Sequence, residues 1–457
     1  MKALKIGFTG FTSRLLFDES SKKMFGESKK LVIESAKPHK VEASEDFFDD
    51  SPGGVKRFND LVEKWEDTRF DLIIIQSVGF GLGIGPIDIG MTQLNTPIVL
   101  WAVPEPELKE GGLLEKNSWC GVNMHSSHLY KLGIKYEYIY GTPGDKIIKS
   151  RLKDIVTTSA VIKTLRHSTI GSFGGRVPGY YDSNFDELSL RKAMGIKFEF
   201  IDLSEVLAEF DNISEKEAKE AADKIYFAKK INIDKYISNS VKLFIAIKKI
   251  VKRYDLSALS LKCWPDLQNL LDISACSVMG ALGDENIPVS CEGDMLGAVS
   301  MLIFSLFSSD VSSLMDISDF NFKNNSLYIY HCGSCPTKMA ETRTKIEHRP
   351  HSLLDNNPGI VSEFYLKQGK CGLIRLSEDN VYKGKYRMFF AEGEGIKGPH
   401  IRGNNLEIKL LNSDINKFIE TIIKNGFEHH YAFGYNINKE TLSLFCDWLN
   451  MDTFFIN

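Results

Sequence analysis

Short unbroken apolar runs alternate with charged, helical-looking segments through the first third of the chain. The runs are Leu4–Phe8, Leu31–Ser35, Asp71–Ser77 and Pro97–Val103. Strands that are apolar at successive positions and separated by helices belong to a parallel sheet covered on both faces. Residues 1–155 are therefore expected to form a Rossmann-like α/β domain. The glycines after the third run, Gly79, Gly81, Gly83 and Gly85, lack the spacing of a dinucleotide fingerprint, and no Gly-Lys-Ser/Thr sequence follows them. They predict a turn at the carboxyl edge of the sheet.

The alternation resumes after a long helical stretch. Thr169–Phe173 runs into Gly174 and Gly175, Phe198–Ile201 follows, and a Lys- and Glu-rich amphipathic helix is predicted over Ser214–Tyr254. Ala258–Lys262 and Pro288–Cys291 complete a second Rossmann-like block, 156–325. The most apolar stretch, Gly297–Phe307, is interrupted by Ser300 and Ser305 and falls short of the roughly 20 residues of a membrane span, so it predicts a buried helix. From Asn325 the pattern shifts to short strands divided by turns: Leu327–Tyr330, Gly359–Leu366, Cys371–Leu376, Arg387–Glu392 and Leu406–Leu410, with a helix over Ser413–Asn425. Residues 326–457 are expected to form a β-rich domain.

Composition narrows the class without naming a partner. A length of 457 residues suits about three domains, and 43 % hydrophobic with 25 % charged residues excludes disorder and coiled coil. Lys plus Arg at 56 against Asp plus Glu at 60 leaves a net charge of −4, which argues against a nucleic-acid partner and still permits a local basic pocket. A small-molecule partner fits better, with no membrane association. The eight cysteines are scattered, several of them in apolar runs, and the N-terminus enters a strand without a signal-peptide core. Both features lead us to expect a cytoplasmic protein.

Three places combine oxygen or nitrogen ligands with a strand end or helix start: Ser290-Cys291-Glu292-Gly293-Asp294, Met315-Asp316-Ile317-Ser318-Asp319 and Phe427-Glu428-His429-His430-Tyr431. Taken singly, each has an ordinary reading as a cap or a surface group. Together with His331, which opens His331-Cys332-Gly333-Ser334-Cys335, they suggest an oxygen-rich site with one or two imidazoles. Such a site suits Mn²⁺, Co²⁺ or Mg²⁺. Cys332 and Cys335 have ligand spacing but no second pair, so a structural role is expected for them.

The segment Cys291–Leu302, then Asp316, Gly333-Ser334-Cys335, Ala391-Glu392-Gly393 and His429-His430, in this order, resembles the L-fucose and L-arabinose isomerase superfamily. The resemblance runs from about residue 165 to the end. It is weaker in the first domain, where Asn117–Gly121 and His125–His128 fall at the family's substrate-facing loops. It implies an aldose–ketose isomerase of two Rossmann-like α/β domains followed by a β-rich, barrel-like C-terminal domain. By the same resemblance Glu292 is a metal ligand and catalytic base, Asp316 the second carboxylate and His430 the imidazole ligand, with Mn²⁺ the expected cofactor. Asp316 follows the fucose branch. His331 lies where the arabinose branch has a further ligand, so the chain departs from both branches and its substrate is left open. The family also implies a homo-oligomer, a trimer or hexamer, in which Trp119, His125 and His128 complete a neighbouring subunit's pocket.

The chemistry is consistent with those residues. Moving a proton from C2 to C1 of an aldose passes through a cis-enediol whose oxygens carry developing negative charge, which a divalent cation stabilises by several kcal/mol. Two carboxylates can serve the proton transfers. Trp264 ends a strand and is read either as a sugar platform or as core. Arg176, in a glycine- and tyrosine-rich loop, and Arg349 and Arg402, in third-domain loops, are candidate substrate contacts, as is Glu394. If these cations converge, an anionic sugar, sulfonated or phosphorylated, such as sulfoquinovose, competes with a neutral hexose, pentose or deoxy sugar. A non-catalytic sugar-binding or regulatory protein is the rival reading, and the complete ligand set speaks against it.

Overall fold

The computed structural model describes all residues except 17–18, 226–234, 343–344, 352, 354–358, 383, 412 and 457. The chain divides into two compact units, Met1–Thr164 and Leu165–Asn457. The stretches expected as second and third domains fall in the second unit, apart from residues 156–164, which belong to the first.

The first unit is built on five parallel strands in the order Lys40–Ala43, Lys5–Phe11, Leu72–Ser77, Ile98–Ala102 and Tyr136–Tyr140. Leu72–Ser77 is buried at every position, as a central parallel strand covered on both faces must be. Leu31–Ser35, expected as a strand, is instead the end of the helix Glu19–Ser35. The reason is periodic: Phe25, Ser28, Leu31, Val32 and Ser35 are buried together at helical spacing. The strand that takes its place, Lys40–Ala43, is more polar and only partly buried because it lies at the sheet edge. The glycine-rich loop is a packing device. A Cβ on Gly81 would stand 2.0 Å from the Thr12 carbonyl carbon, so only glycine lets this loop lie on the end of the first strand.

The second unit carries two sheets. Lys197–Ile201, Thr169–Phe173, Leu256–Leu261 and Val289–Ser290 form a four-stranded parallel sheet in that order. The long helix expected over Ser214–Tyr254 is represented by Glu215–Ala222 and Lys235–Arg253, and residues 226–234 of that expectation lie outside the described residues. The other sheet has nine strands. Asn404–Leu410, Ser326–His331, Ser313–Asn321, His430–Tyr435, Gly369–Glu378 and Tyr386–Ile396 pair antiparallel in sequence, and Tyr386–Ile396 pairs again with Asn404–Leu410. That last pairing closes a barrel and so removes two free edges. It needs Gly393, where a Cβ would stand 2.3 Å from Ile408 Cγ2. Met315, Leu327, Leu373, Phe389 and Ile408 belong to the core of this sheet.

The barrel begins at Ser313, so Asp316 stands on a barrel strand. Polar Ser318 and Asp319 in its outer half hide that strand's apolar alternation. Gly297–Phe307 lies within the helix Met295–Ser308, buried at every position from Met295 to Phe304. This helix packs against Leu256–Leu261 of the parallel sheet and against Gly369–Glu378 and His430–Tyr435 of the barrel, which explains why it is apolar all round. Among the described residues no helix is long and apolar enough to cross a membrane.

Candidate active site

Glu292 follows the short strand Val289–Ser290 and takes a left-handed backbone, φ 60°, with Gly293 at φ 76°. For a non-glycine residue that conformation costs about 1–2 kcal/mol and is kept only where surroundings enforce it. Here the enforcement is contact: a Cβ on Gly293 would stand 2.2 Å from Gly175 O, so the turn is pressed onto the loop after Thr169–Phe173. Asp294 then caps the helix Met295–Ser308, its Oδ1 accepting the Gly297 amide at 2.8 Å. Asp316 and His430 are direct register partners on neighbouring antiparallel barrel strands, which sets their side chains side by side on one face.

These elements bring the three expected metal ligands together. His430 Nε2 is 3.5 Å from Glu292 Oε2 and 3.6 Å from Asp316 Oδ1. Its Nδ1 is 3.1 Å from Asp294 Oδ2. Asp294 is fully buried; burial pushes its carboxyl up, but the Arg375 guanidinium and His430 outweigh this and hold it well below the usual carboxylate range. An ionised Asp294 only accepts, so Nδ1 of His430 carries a proton toward it and Nε2 is the nitrogen turned toward Glu292 and Asp316. Two carboxylate oxygens and one imidazole nitrogen thus converge, and Asp316 Oδ1 is buried with no hydrogen-bond partner among the described residues. That arrangement fits a divalent cation.

The neighbours of Glu292 fix its direction. Trp264 Nε1 donates to Oε1 at 3.0 Å, and His429 Nε2 lies 3.6 Å from Oε2. Burial raises the Glu292 carboxyl, but His429, Trp264 and the charges of His430 and His331 together leave it below its ordinary range. Glu292, His429 and His430 offer ligand atoms within 4.8 Å of one another. His429 is nevertheless better placed as a donor: burial opposes its charge, yet Glu292 and Asp182, the latter 2.8 Å from Nδ1, raise it to about 9. Tyr180 packs edge-on against both Trp264 and His429. Trp264, Glu292, Asp316 and His430 line a cavity of about 250 Å³ that includes Tyr330 and His331 in its wall.

The other expected residues are distributed as follows. His331 stacks on His430 with ring centroids 6.3 Å apart, and its Nδ1 contacts Ser334 Oγ and the Cys332 amide. Burial opposes its charge, but Cys332 and the two carboxylates raise it to about 10. Arg176 lies against the Gly293 turn, over the Tyr181 ring at 4.6 Å. Arg402 and Arg349 are both bound to the buried Glu363. Glu394 sits in strand register opposite Lys370 and Lys409 and is absent from the cavity wall. In the first unit Trp119, His125 and His128 share the helix Ser118–Lys131. His125 does not present a free nitrogen: it is buried, Ser77 Oγ and Gly81 O each lie 3.2 Å from a ring nitrogen, and desolvation lowers it to about 4. It pins the glycine loop. His128 contacts Gly83 O at 3.2 Å, and Trp119 is half exposed against Tyr140.

No motif in the sequence marks Asp294 as an orienting group, Arg375 as its clamp, or Asp182 as a partner of His429. Arg375 left one signal, a lone cation inside the apolar run Cys371–Leu376.

Known proteins resemble this chain over most of its length. The family described as "Fucose/sulfoquinovose isomerase, N-terminal domain" matches residues 12–166. These matches support a place in the fucose isomerase-like superfamily. A sulfoquinovose isomerase from Alkalicoccus urumqiensis is 29 % identical over 376 residues, covering 81 % of this chain and 83 % of that protein. One from Priestia aryabhattai is 27 % identical over 404 residues, 87 % of this chain and 88 % of that protein. A third, from Clostridium sp. (strain MSTE9), is 23 % identical over 387 residues, 83 % and 85 % of the two chains. Similarity to these isomerases indicates an aldose–ketose isomerase, and the cavity around Glu292 is where its chemistry is to be sought.

Proposed function

We propose that this protein isomerises an anionic aldose, with sulfoquinovose the first candidate, to the corresponding ketose, using a divalent cation held by Glu292, Asp316 and His430. The observation that carries the reading is the approach of Glu292 Oε2 and Asp316 Oδ1 to Nε2 of His430. When bound, the cation supplies Lewis-acid stabilisation of charge developing on the sugar oxygens. Glu292, held by Trp264 and His429, takes the C2 proton and returns it to C1. Asp316 serves the proton that moves between the two oxygens. Each transfer is worth about 10²–10⁴-fold.

Two observations favour an anionic substrate over a neutral one. The named relatives are sulfoquinovose isomerases, and sulfoquinovose carries a sulfonate. Of the three candidate arginines, Arg349 and Arg402 are neutralised by Glu363, whereas Arg176 has no carboxylate partner among the described residues and lies against the Glu292 turn. Arg176 is the residue we assign to the anionic group. A homo-oligomer, trimer or hexamer, is part of the proposal, with half-exposed Trp119 a surface for a second copy to cover. Eight unbonded cysteines support a cytoplasmic setting.

The test is a panel of neutral, sulfonated and phosphorylated aldoses incubated with Mn²⁺-loaded protein and scored for ketose by NMR. We expect turnover of a sulfonated aldose, lost on exhaustive chelation, restored by Mn²⁺, and abolished in Glu292→Gln and Asp316→Asn while far-UV circular dichroism is unchanged. Turnover that survives chelation removes the cation, and turnover confined to neutral sugars removes the anionic substrate.

A further inference from the structure

The same cavity is lined by Cys276, Cys332 and His351, none of which the isomerisation uses. One ligand atom of each lies within 4.8 Å of the other two, and the two Sγ atoms are 3.5 Å apart. Three elements bring them together. Cys276 opens the helix Cys276–Asp284, Cys332 follows the strand Ser326–His331, and His351 follows Glu347–Pro350. Cys276 and His351 are buried and Cys332 is partly so.

The cluster is held by close backbone packing. A Cβ on Gly280, in the Cys276 helix, would stand 2.6 Å from Cys335 O, and one on Gly359 would stand 2.2 Å from Ser274 N. Gly333, beside Cys332, has φ 110° and packs on Val361. The three ligands are therefore positioned by well-packed backbone on each side.

We propose that Cys276, Cys332 and His351 form a second metal site, for a soft or borderline cation such as Zn²⁺, in the wall of the sugar cavity. The chemistry of the donors separates it from the first site. Glu292, Asp316 and His430 are an oxygen-rich set suited to Mn²⁺, whereas two thiolates and an imidazole are a set that Zn²⁺ takes in tetrahedral geometry. Zn–S bonds of about 2.3 Å at tetrahedral angles place two sulfurs roughly 3.7 Å apart, close to the separation observed here. Three protein ligands leave the fourth position to water or substrate in the cavity. Binding releases the two thiol protons to solvent. The Leu353 amide now donates to His351 Nδ1 at 3.1 Å, so ligation through Nε2 moves the ring proton to Nδ1 and that amide lets go.

The test uses Co²⁺ as the probe, titrated into the full-length protein under a phosphine reductant and read by absorption. This readout is independent of isomerase turnover, so its failure leaves the proposed reaction standing. Wild-type protein is expected to develop near-ultraviolet sulfur-to-cobalt charge-transfer absorption with the amplitude of one thiolate-bound Co²⁺ per chain, displaced by Zn²⁺. Glu292→Gln with Asp316→Asn keeps the band, and Cys276→Ser and Cys332→Ser each lose most of it. His351→Gln preserves both sulfurs, so the band remains but Co²⁺ binds about tenfold or more weakly, since even outer partners are worth 10–100-fold. The His351 variant keeps the test decisive if a serine variant fails to fold. No charge-transfer band in wild type, a band that survives in folded Cys332→Ser, unchanged affinity in His351→Gln, or a band that depends on Cys263 and Cys291 instead overturns the proposal.

Discussion

His430 works here because Asp294 holds its far nitrogen. A buried, ionised carboxylate fixes the ring's tautomer and direction, and Arg375 fixes the carboxylate with two terminal nitrogens. Asp294→Asn keeps the size and the helix cap but lets the amide nitrogen face the ring, so Mn²⁺ affinity is expected to fall about 10–100-fold, measurable by equilibrium dialysis. The pH profile tests the same residues. Glu292 must be ionised to act as base and is held below its ordinary range, so the acid limb of kcat/KM is expected below about pH 4.3. His429 is raised to about 9; its bond to Glu292 is present below the unperturbed histidine value and is lost as pH rises through about 9. An alkaline limb near that value, absent in His429→Gln, is the expected result. Glu292, Asp316 and His430 were legible as residue types beside strand ends. Asp294 was legible only as a cap, because its second task needs a partner that is 136 positions away.

At the level of elements, the turn after Val289–Ser290 is the part on which the geometry depends. Gly293→Ala must place a Cβ at φ 76° and against Gly175 O. The backbone alone costs about 1–2 kcal/mol, and relieving the clash moves Glu292. Loss of most activity, together with a lowered midpoint in urea unfolding, is the expected outcome; full activity would show that the turn tolerates displacement. The central parallel strands and the buried helix were visible in the sequence because burial on all sides leaves a continuous apolar run, whereas the partly exposed edge strands Lys40–Ala43 and Tyr136–Tyr140 were not. The strand Ser313–Asn321 was not visible, since its outer half is polar, and Leu31–Ser35 misled because a buried rung of a helix reads locally like a strand.

Over the whole molecule, the Asp294–Arg375 pair is a stability element as well as a positioning one. Asp294 is depressed on folding, so its contribution is complete above its unfolded value, about 3.9, and is lost as pH falls through the lower folded value. Breaking such a buried pair costs about 3–5 kcal/mol. Urea unfolding from neutral pH downward is expected to show Asp294→Asn destabilised by that amount at neutral pH and with a flatter acid limb than wild type. The periodic burial of apolar side chains, a local property, settled the α/β alternation, the β-rich C-terminal part and the residue types available for catalysis. Barrel closure between Tyr386–Ile396 and Asn404–Leu410, the pairing of Asp316 with His430, and the meeting of Cys276, Cys332 and His351 came only with tertiary structure. They depend on strand register and on contacts between distant segments, and neither is written in any local pattern of the chain.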